Sequence, residues 1–165
     1  MAATTRPVFI LLCGLPGVGK STYSRRSQFD NFVRLSVDDY LVKAMGEEGI
    51  SYQESFNSNI LQAQFEIVEN LKAAVSNGSN IILDQLNLTP TVRRKKLLRV
   101  PPEIYTRVAV SFVEPPEVII DRNKERLRAG MGMPENVLKV YIDTYIPPAI
   151  KEGFDEIWSP GEIRT

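Results

Sequence analysis

Residues 14–21, Gly14-Leu15-Pro16-Gly17-Val18-Gly19-Lys20-Ser21, match the pattern G-x-x-x-x-G-K-[ST] in full. Each residue type has a task in polyphosphate chemistry. The glycines let backbone N–H groups curl around the phosphates, Lys20 reaches the β- and γ-phosphates, and the Ser21 hydroxyl holds Mg²⁺. The context agrees. An apolar run, Val8 to Cys13, precedes the loop and reads as a buried parallel strand. Ser21 to Gln28 follows without Gly or Pro and reads as the helix whose N-terminus receives the phosphate. Strand, loop and helix in this order favour a nucleotide site over a structural glycine turn.

Three further groups could act beside the loop. Asp38 follows a second strand-like run, Phe32 to Ser36, in Ser36-Val37-Asp38-Asp39-Tyr40. Parallel strands share one carboxyl edge where the ligand crevice lies, so Asp38 is expected to face the γ-phosphate and take a proton from an acceptor hydroxyl. The competing role is a cap on the next helix, which Asp38 or Asp39 could fill. Asp84 ends a third apolar run, Asn80 to Asp84, as does the carboxylate that supports Mg²⁺ in phosphate-loop enzymes; it could equally make a strand-end turn. Asn87 and the basic run Arg93-Arg94-Lys95-Lys96 come next. Such a run is usually a solvated helix face, yet near the crevice Arg93 or Arg94 could contact an acceptor phosphate. Finally, Arg122 and Arg126 stand four apart on one helix face, followed by Gly130 and Gly132. This is the makeup of a closing lid with a glycine hinge, its guanidinium groups stabilising charge on a transferred phosphoryl. The chain has no histidine, so His-based metal sites and general bases are excluded.

The elements that must position these groups alternate. Further strands are predicted at Thr106 to Val113 and Asp155 to Trp158. A long helix is predicted from Tyr52 to Ser76, with Phe56, Ile60, Ala63, Ile67 and Leu71 at helical spacing and Asn77-Gly78 as its close. Others are predicted over Pro90 to Leu98 with Thr89 as N-cap, over Pro116 to Arg128, and from Met133-Pro134 to Glu152 with a kink at Pro147-Pro148. Alternating strands and helices predict an α/β fold, a parallel sheet of about five strands covered on both faces.

A chain of 165 residues is a one-domain length, and we read residues 1–165 as one domain. Twenty basic and twenty acidic residues give zero net charge, which argues against a strongly basic nucleic-acid surface but not against a local basic cleft. The single Cys13 reads as a small buried apolar residue, and no intrachain disulfide is available. The N-terminus, Met1 to Pro7, has no signal-peptide pattern and no apolar run long enough for a membrane span. The expectation is an intracellular, reducing setting, cytoplasmic or nuclear.

Taken together these residues resemble the kinase domain of the phosphate-loop 5′-polynucleotide kinase family of phage and animal end-healing enzymes. Cys13 through Ser21 and Thr22 match that family's loop, and Val37-Asp38-Asp39-Tyr40 matches the segment around its general base. Leu83-Asp84-Gln85-Leu86-Asn87-Leu88-Thr89-Pro90 resembles its Asp…Asn…Pro element with one extra residue, and Arg122 to Arg126 matches its lid. Tyr141, Pro148 and Glu152 to Ile157 match its closing helix and last strand. The resemblance implies a P-loop kinase fold with an Arg-bearing lid. It implies ATP as donor, with GTP left open, Mg²⁺ as metal and a DNA or RNA 5′-hydroxyl end as acceptor. Asp38 would be the base and Arg126 would stabilise the transferred group. Arg122 would lie near adenine or phosphates, and Ser159-Pro160-Gly161 would border the adenine. The sequence departs from the family at Leu41, where the phage enzyme has an arginine that contacts the acceptor. It also holds no phosphatase or ligase domain, which such enzymes often carry fused, and a separate phosphatase or ligase partner is left open.

Two other readings stand beside this one. A kinase of the same fold could act on a small acceptor such as a nucleoside, nucleotide or sugar, which zero net charge and Leu41 favour. A non-catalytic nucleic-acid-binding module is the third, since the nuclear ribonucleoprotein U family is similar in Cys-Gly-Leu-Pro-Gly and around Leu83-Asp84-Gln85. In that family the base position is lost, whereas here Asp38 is present.

Overall fold

The computed structural model describes residues 5–162; the start of the N-terminal segment, Met1 to Thr4, lies outside them. Five strands, β1 (Val8–Cys13), β2 (Val33–Ser36), β3 (Ile81–Asp84), β4 (Thr106–Ser111) and β5 (Glu156–Trp158), form one sheet in the order β2-β3-β1-β4-β5. Every pairing is parallel, so all carboxyl ends share one edge. The fold is an α/β, P-loop kinase fold.

Strand alternation divides the core into two layers. Phe9, Leu11 and Cys13 of β1 face one side with Ile81, Leu83 and Ala109. They pack against Ile67, Leu71 and Ala74 of α3 (Tyr52–Ser76) and Leu97 of α4 (Pro90–Leu97). Ile10 and Leu12 face the other side with Ile82, Val108 and Val110. They meet Tyr23 of α1 (Lys20–Ser24), Ile119 of α5 (Pro116–Arg128) and Leu138 of α6 (Glu135–Thr144). The central strand is thus buried on both faces, as its unbroken apolar run requires.

Between β2 and α3 lies α2 (Val37–Glu48), which carries Asp38 and Asp39 in its first turn. Neither is the cap. Ser36 takes that role, its hydroxyl accepting from the Asp39 N–H at 3.3 Å, and both carboxylates remain for other work. Several boundaries differ from expectation. The helix after the loop ends at Ser24, with a 3-10 turn at Ser27–Phe29, instead of running to Gln28. The last long helix ends at Thr144 instead of Glu152. Pro147 has no N–H to continue the helical ladder and keeps Ile146 out of the helical region, and Tyr145 is already extended. A 3-10 turn at Ile150–Glu152 then leads into β5.

Candidate active site

The phosphate loop joins β1 to α1 at the carboxyl edge of the sheet. Gly14 is a close-approach glycine, because a Cβ there would lie 2.8 Å from the Phe112 Cβ. Gly17 (φ 78°) and Gly19 (φ 97°) occupy the left-handed region, which turns successive N–H groups into the concavity. The Lys20 ammonium folds back on this cradle. It donates to the Gly14 and Leu15 carbonyl oxygens at 2.9 and 2.6 Å. Burial pushes its pKa down to about 8, against the pull of Asp84 and Asp38 and with the charge of Arg126 adding to the depression. The charges of Asp84, Asp38 and Arg126 all act on Lys20. The Ser21 hydroxyl makes no hydrogen bond among the described residues.

Asp84, buried at the end of β3, sits behind the loop. Its Oδ2 accepts from Ser24 Oγ at 3.0 Å and pairs with Arg34 at 2.8 Å, and Oδ1 has no described partner. Arg34 of β2 also pairs with Asp39, which in turn pairs with Arg25 at 2.9 Å. Sequence reading singled out Asp84 and Asp39 but not the Ser24–Arg34–Asp39–Asp84 network, because Arg34 and Ser24 carry no local signal and meet the aspartates only once the strands are assembled. Its effect on the aspartate pair is decisive. Asp39 is consumed by two arginines, while exposed Asp38 pairs with neither. Asp38 Oδ1 accepts one hydrogen bond, from the Tyr52 hydroxyl at 2.8 Å, and Oδ2 has no partner among the described residues.

The lid residues flank the loop. Arg122 donates to the Gly17 carbonyl at 2.9 Å and pairs with Glu114 at 3.4 Å. Arg126, half-buried one turn later, makes no ion pair or hydrogen bond among the described residues. Beyond α5, Gly130 takes φ 76° and the Met131 N–H donates to the Arg126 carbonyl at 2.8 Å, so this glycine closes the helix as a left-handed C-cap. Gly132 does not act as a free hinge. A Cβ there would lie 2.6 Å from Leu127 atoms, so it is a tight packing point. Asn123 also clamps this loop, donating to Met133 O at 2.8 Å and accepting from Met133 N at 3.0 Å.

Three sequence candidates are placed elsewhere. Arg93, expected at the crevice, is fully buried. Its guanidinium forms a two-pronged pair with Glu152 at 2.7 and 2.8 Å and donates to the Asn87 and Ile146 carbonyls. No surface is left for a substrate. Asn87 is also buried, at φ 52°, where its amide donates to Leu12 O at 2.6 Å and its side-chain oxygen accepts from Lys96. It braces the strand beneath the loop, as does the Leu86 carbonyl, which accepts from Gly14 N at 3.0 Å. Arg94 is exposed, but it lines a groove of about 460 Å³ with Arg107 and Lys151, between α4 and the Ile150–Glu152 turn. The Cys13 thiol is buried, and burial pushes its pKa up to about 12, so it stays protonated. Beside the loop a second cavity of about 370 Å³ is lined by Val18, Phe112, Glu114, Ser159 and Pro160.

With this geometry in place, likeness to known proteins is informative. Residues 9–148 match the family model for the AAA domain, AAA_33. The chain belongs to this AAA domain family. It is similar to an L-seryl-tRNA(Sec) kinase of Methanococcus maripaludis, 25% identical over 151 residues, which cover 90% of this chain and 56% of that protein. The chain thus spans little more than half of that relative. Among solved structures it resembles a kinase candidate from Chloroflexus aurantiacus j-10-fl, with TM-score 0.72 and 17% identity over 95% of this chain and 86% of that one. It also resembles a chain of the Pnkp1/Rnl/Hen1 RNA repair complex, with TM-score 0.59 and 22% identity over 92% of this chain and 51% of that one. At these identities the structures share the fold of this AAA domain. Among the described residues, no helix is long and apolar enough to cross a membrane.

Proposed function

We propose that this AAA domain is an ATP-dependent kinase that transfers the γ-phosphoryl group to the 5′-hydroxyl end of DNA or RNA. One observation carries the reading: of two adjacent aspartates, the fold neutralises Asp39 with Arg25 and Arg34 and leaves Asp38 with an open oxygen within the field of Lys20. In the mechanism, Asp38 orients the acceptor hydroxyl and takes its proton. The backbone from Gly14 to Gly19 cradles the phosphates, with Leu15, Pro16 and Val18 shaping the loop and Thr22 following at its helix. Lys20 exchanges its loop carbonyls for phosphate oxygens. Arg122 and Arg126 bring positive charge over the transferring group. The residues present fit Mg²⁺, since Ser21 offers a hydroxyl without a described partner and Asp84 an open Oδ1. Ser21 and Asp84 would hold it, and it would neutralise charge developing on the phosphates. The cavity beside Val18, Ser159 and Pro160 suits the nucleotide base.

The names of two similar proteins, a seryl-tRNA kinase and an RNA repair complex, support an acceptor carried on nucleic acid. One observation favours the small-acceptor reading instead. Leu41, at the position where the resemblance leads one to look for an acceptor-binding arginine, is fully buried. The deciding experiment offers labelled γ-phosphate ATP, and GTP in parallel, to 5′-hydroxyl DNA and RNA oligonucleotides beside a panel of nucleosides, nucleotides and sugars. Label on an oligonucleotide 5′ end is the expected result, and label only on a small acceptor overturns it. Asp38→Asn should lower transfer by about 10²–10⁴-fold while sparing ATP binding; unchanged transfer would remove the mechanism.

A further inference from the structure

Asp38 is the proposed base, yet it stands on the exposed first turn of α2, where a carboxylate would ordinarily sample several rotamers. The fold prevents this from outside the loop. Ser51 and Glu54 form a reciprocal capping box, so α3 begins at Tyr52. The Tyr52 hydroxyl donates to Asp38 Oδ1 at 2.8 Å. Three residues on, buried Ser55 donates to the carbonyl of buried Leu41 at 2.8 Å. Both bonds join positions fourteen apart, and together they fix the first turn of α2 against the first turn of α3. Tyr52 therefore projects from an anchored helix start instead of a loop.

We propose that Tyr52 is the positioning residue for Asp38, holding Oδ1 so that Oδ2 alone faces the acceptor hydroxyl. The inference rests on the kinase reading above. During transfer the acceptor O–H bond breaks as its oxygen bonds to the γ-phosphorus. The proton passes to Asp38 Oδ2, and the bond from the γ-phosphorus to the bridging oxygen breaks with its electron pair leaving on the diphosphate. Tyr52 keeps its proton throughout. Burial and the Asp38 carboxylate both raise its pKa above the ordinary tyrosine range, so it donates at any working pH. The charge of Arg126 acts on Tyr52 as it acts on Lys20.

Two measurements test this. Tyrosine ring ¹³C titration of the intact chain, with the resonance assigned by Tyr52→Phe, needs no acceptor. Tyr52 should titrate above about 10 and move down on Asp38→Asn. An ordinary value untouched by that substitution overturns the pairing. With an acceptor that the wild type uses, Tyr52→Phe should lower kcat about tenfold to a hundredfold and leave the KM for ATP unchanged. In an Asp38→Asn background it should add nothing, since it acts through that carboxylate. If Tyr52→Phe keeps full kcat while Asp38→Asn is inactive, the positioning role falls and the kinase reading stands. If Asp38→Asn is itself active, or no acceptor is phosphorylated, the kinase reading falls and takes the positioning role with it, whatever the titration shows of the pair.

Discussion

At the scale of single residues, the most informative group is Lys20, because its protonation is tied to whether phosphate is bound. Its pKa in the folded chain is lowered to about 8, against about 10.4 in an unfolded one. Between those values the unfolded state holds the proton and the folded state does not, so this group makes stability rise with pH across that window. Bound phosphates reverse the preference, since a polyphosphate favours the ammonium. Nucleotide binding at pH above about 8 should therefore take up protons, and affinity should fall as pH climbs through that region. Calorimetry in two buffers of different ionisation enthalpy measures the uptake directly. Lys96 is also lowered to about 8 by burial, but its ammonium serves Asn87 beneath the loop. Lys20→Arg, which keeps a cation that stays protonated throughout this range, should thus abolish the uptake. Uptake that survives it would assign the proton to another group.

At the scale of elements, Arg93 is where local pattern and fold part company. Four consecutive cations read as a solvated face, yet a helix turns about 100° per residue, so one of four neighbours can point inward. Arg93 does, along with Leu97 four residues later, while Arg94 and Lys95 stay outside. Its partner Glu152 is 59 positions away, beyond the reach of any local pattern. Removing the guanidinium would strand the Glu152 carboxylate with only slight exposure. Arg93→Ala should cost about 3–5 kcal/mol in urea unfolding, and Arg93→Met with Glu152→Leu should cost clearly less than the single change. Losses that simply add would show that the pair is not a unit. The same contrast explains what could be read from sequence. β1, the start of α3, the Thr89 cap and the span of α5 follow from runs, caps and prolines that are local. The early stop of α6, the tight fit of Gly132 and the bracing role of Asn87 depend on contacts made only after the sheet is assembled. The position of Asp38 just past β2 follows from the apolar run before it, whereas its bond from Tyr52 depends on the packing of α2 on α3.

At the scale of the whole molecule, the open question is whether the lid acts on bound nucleotide or only on the group in flight. Its two arginines are differently placed. Arg122 already touches the loop through the Gly17 carbonyl, whereas Arg126 has no described partner and adds its charge to the field at Lys20 and Tyr52. An unpaired cation held near a developing negative charge contributes most when that charge appears. Nucleotide at about 100 times its Kd should stabilise the fold by about 2.7 kcal/mol, a melting shift of roughly 5–10 °C for a chain of this size. Lys20→Met should erase most of that shift, because it removes the buried ammonium that sits on the Gly14 and Leu15 carbonyls of the cradle. Arg126→Ala should keep the shift nearly whole and yet lower transfer by about 10³-fold or more. That combination places Arg126 in the transition state alone. If the melting shift and the transfer rate instead fall together in Arg126→Ala, this arginine binds the ground-state nucleotide, and the lid serves capture more than catalysis.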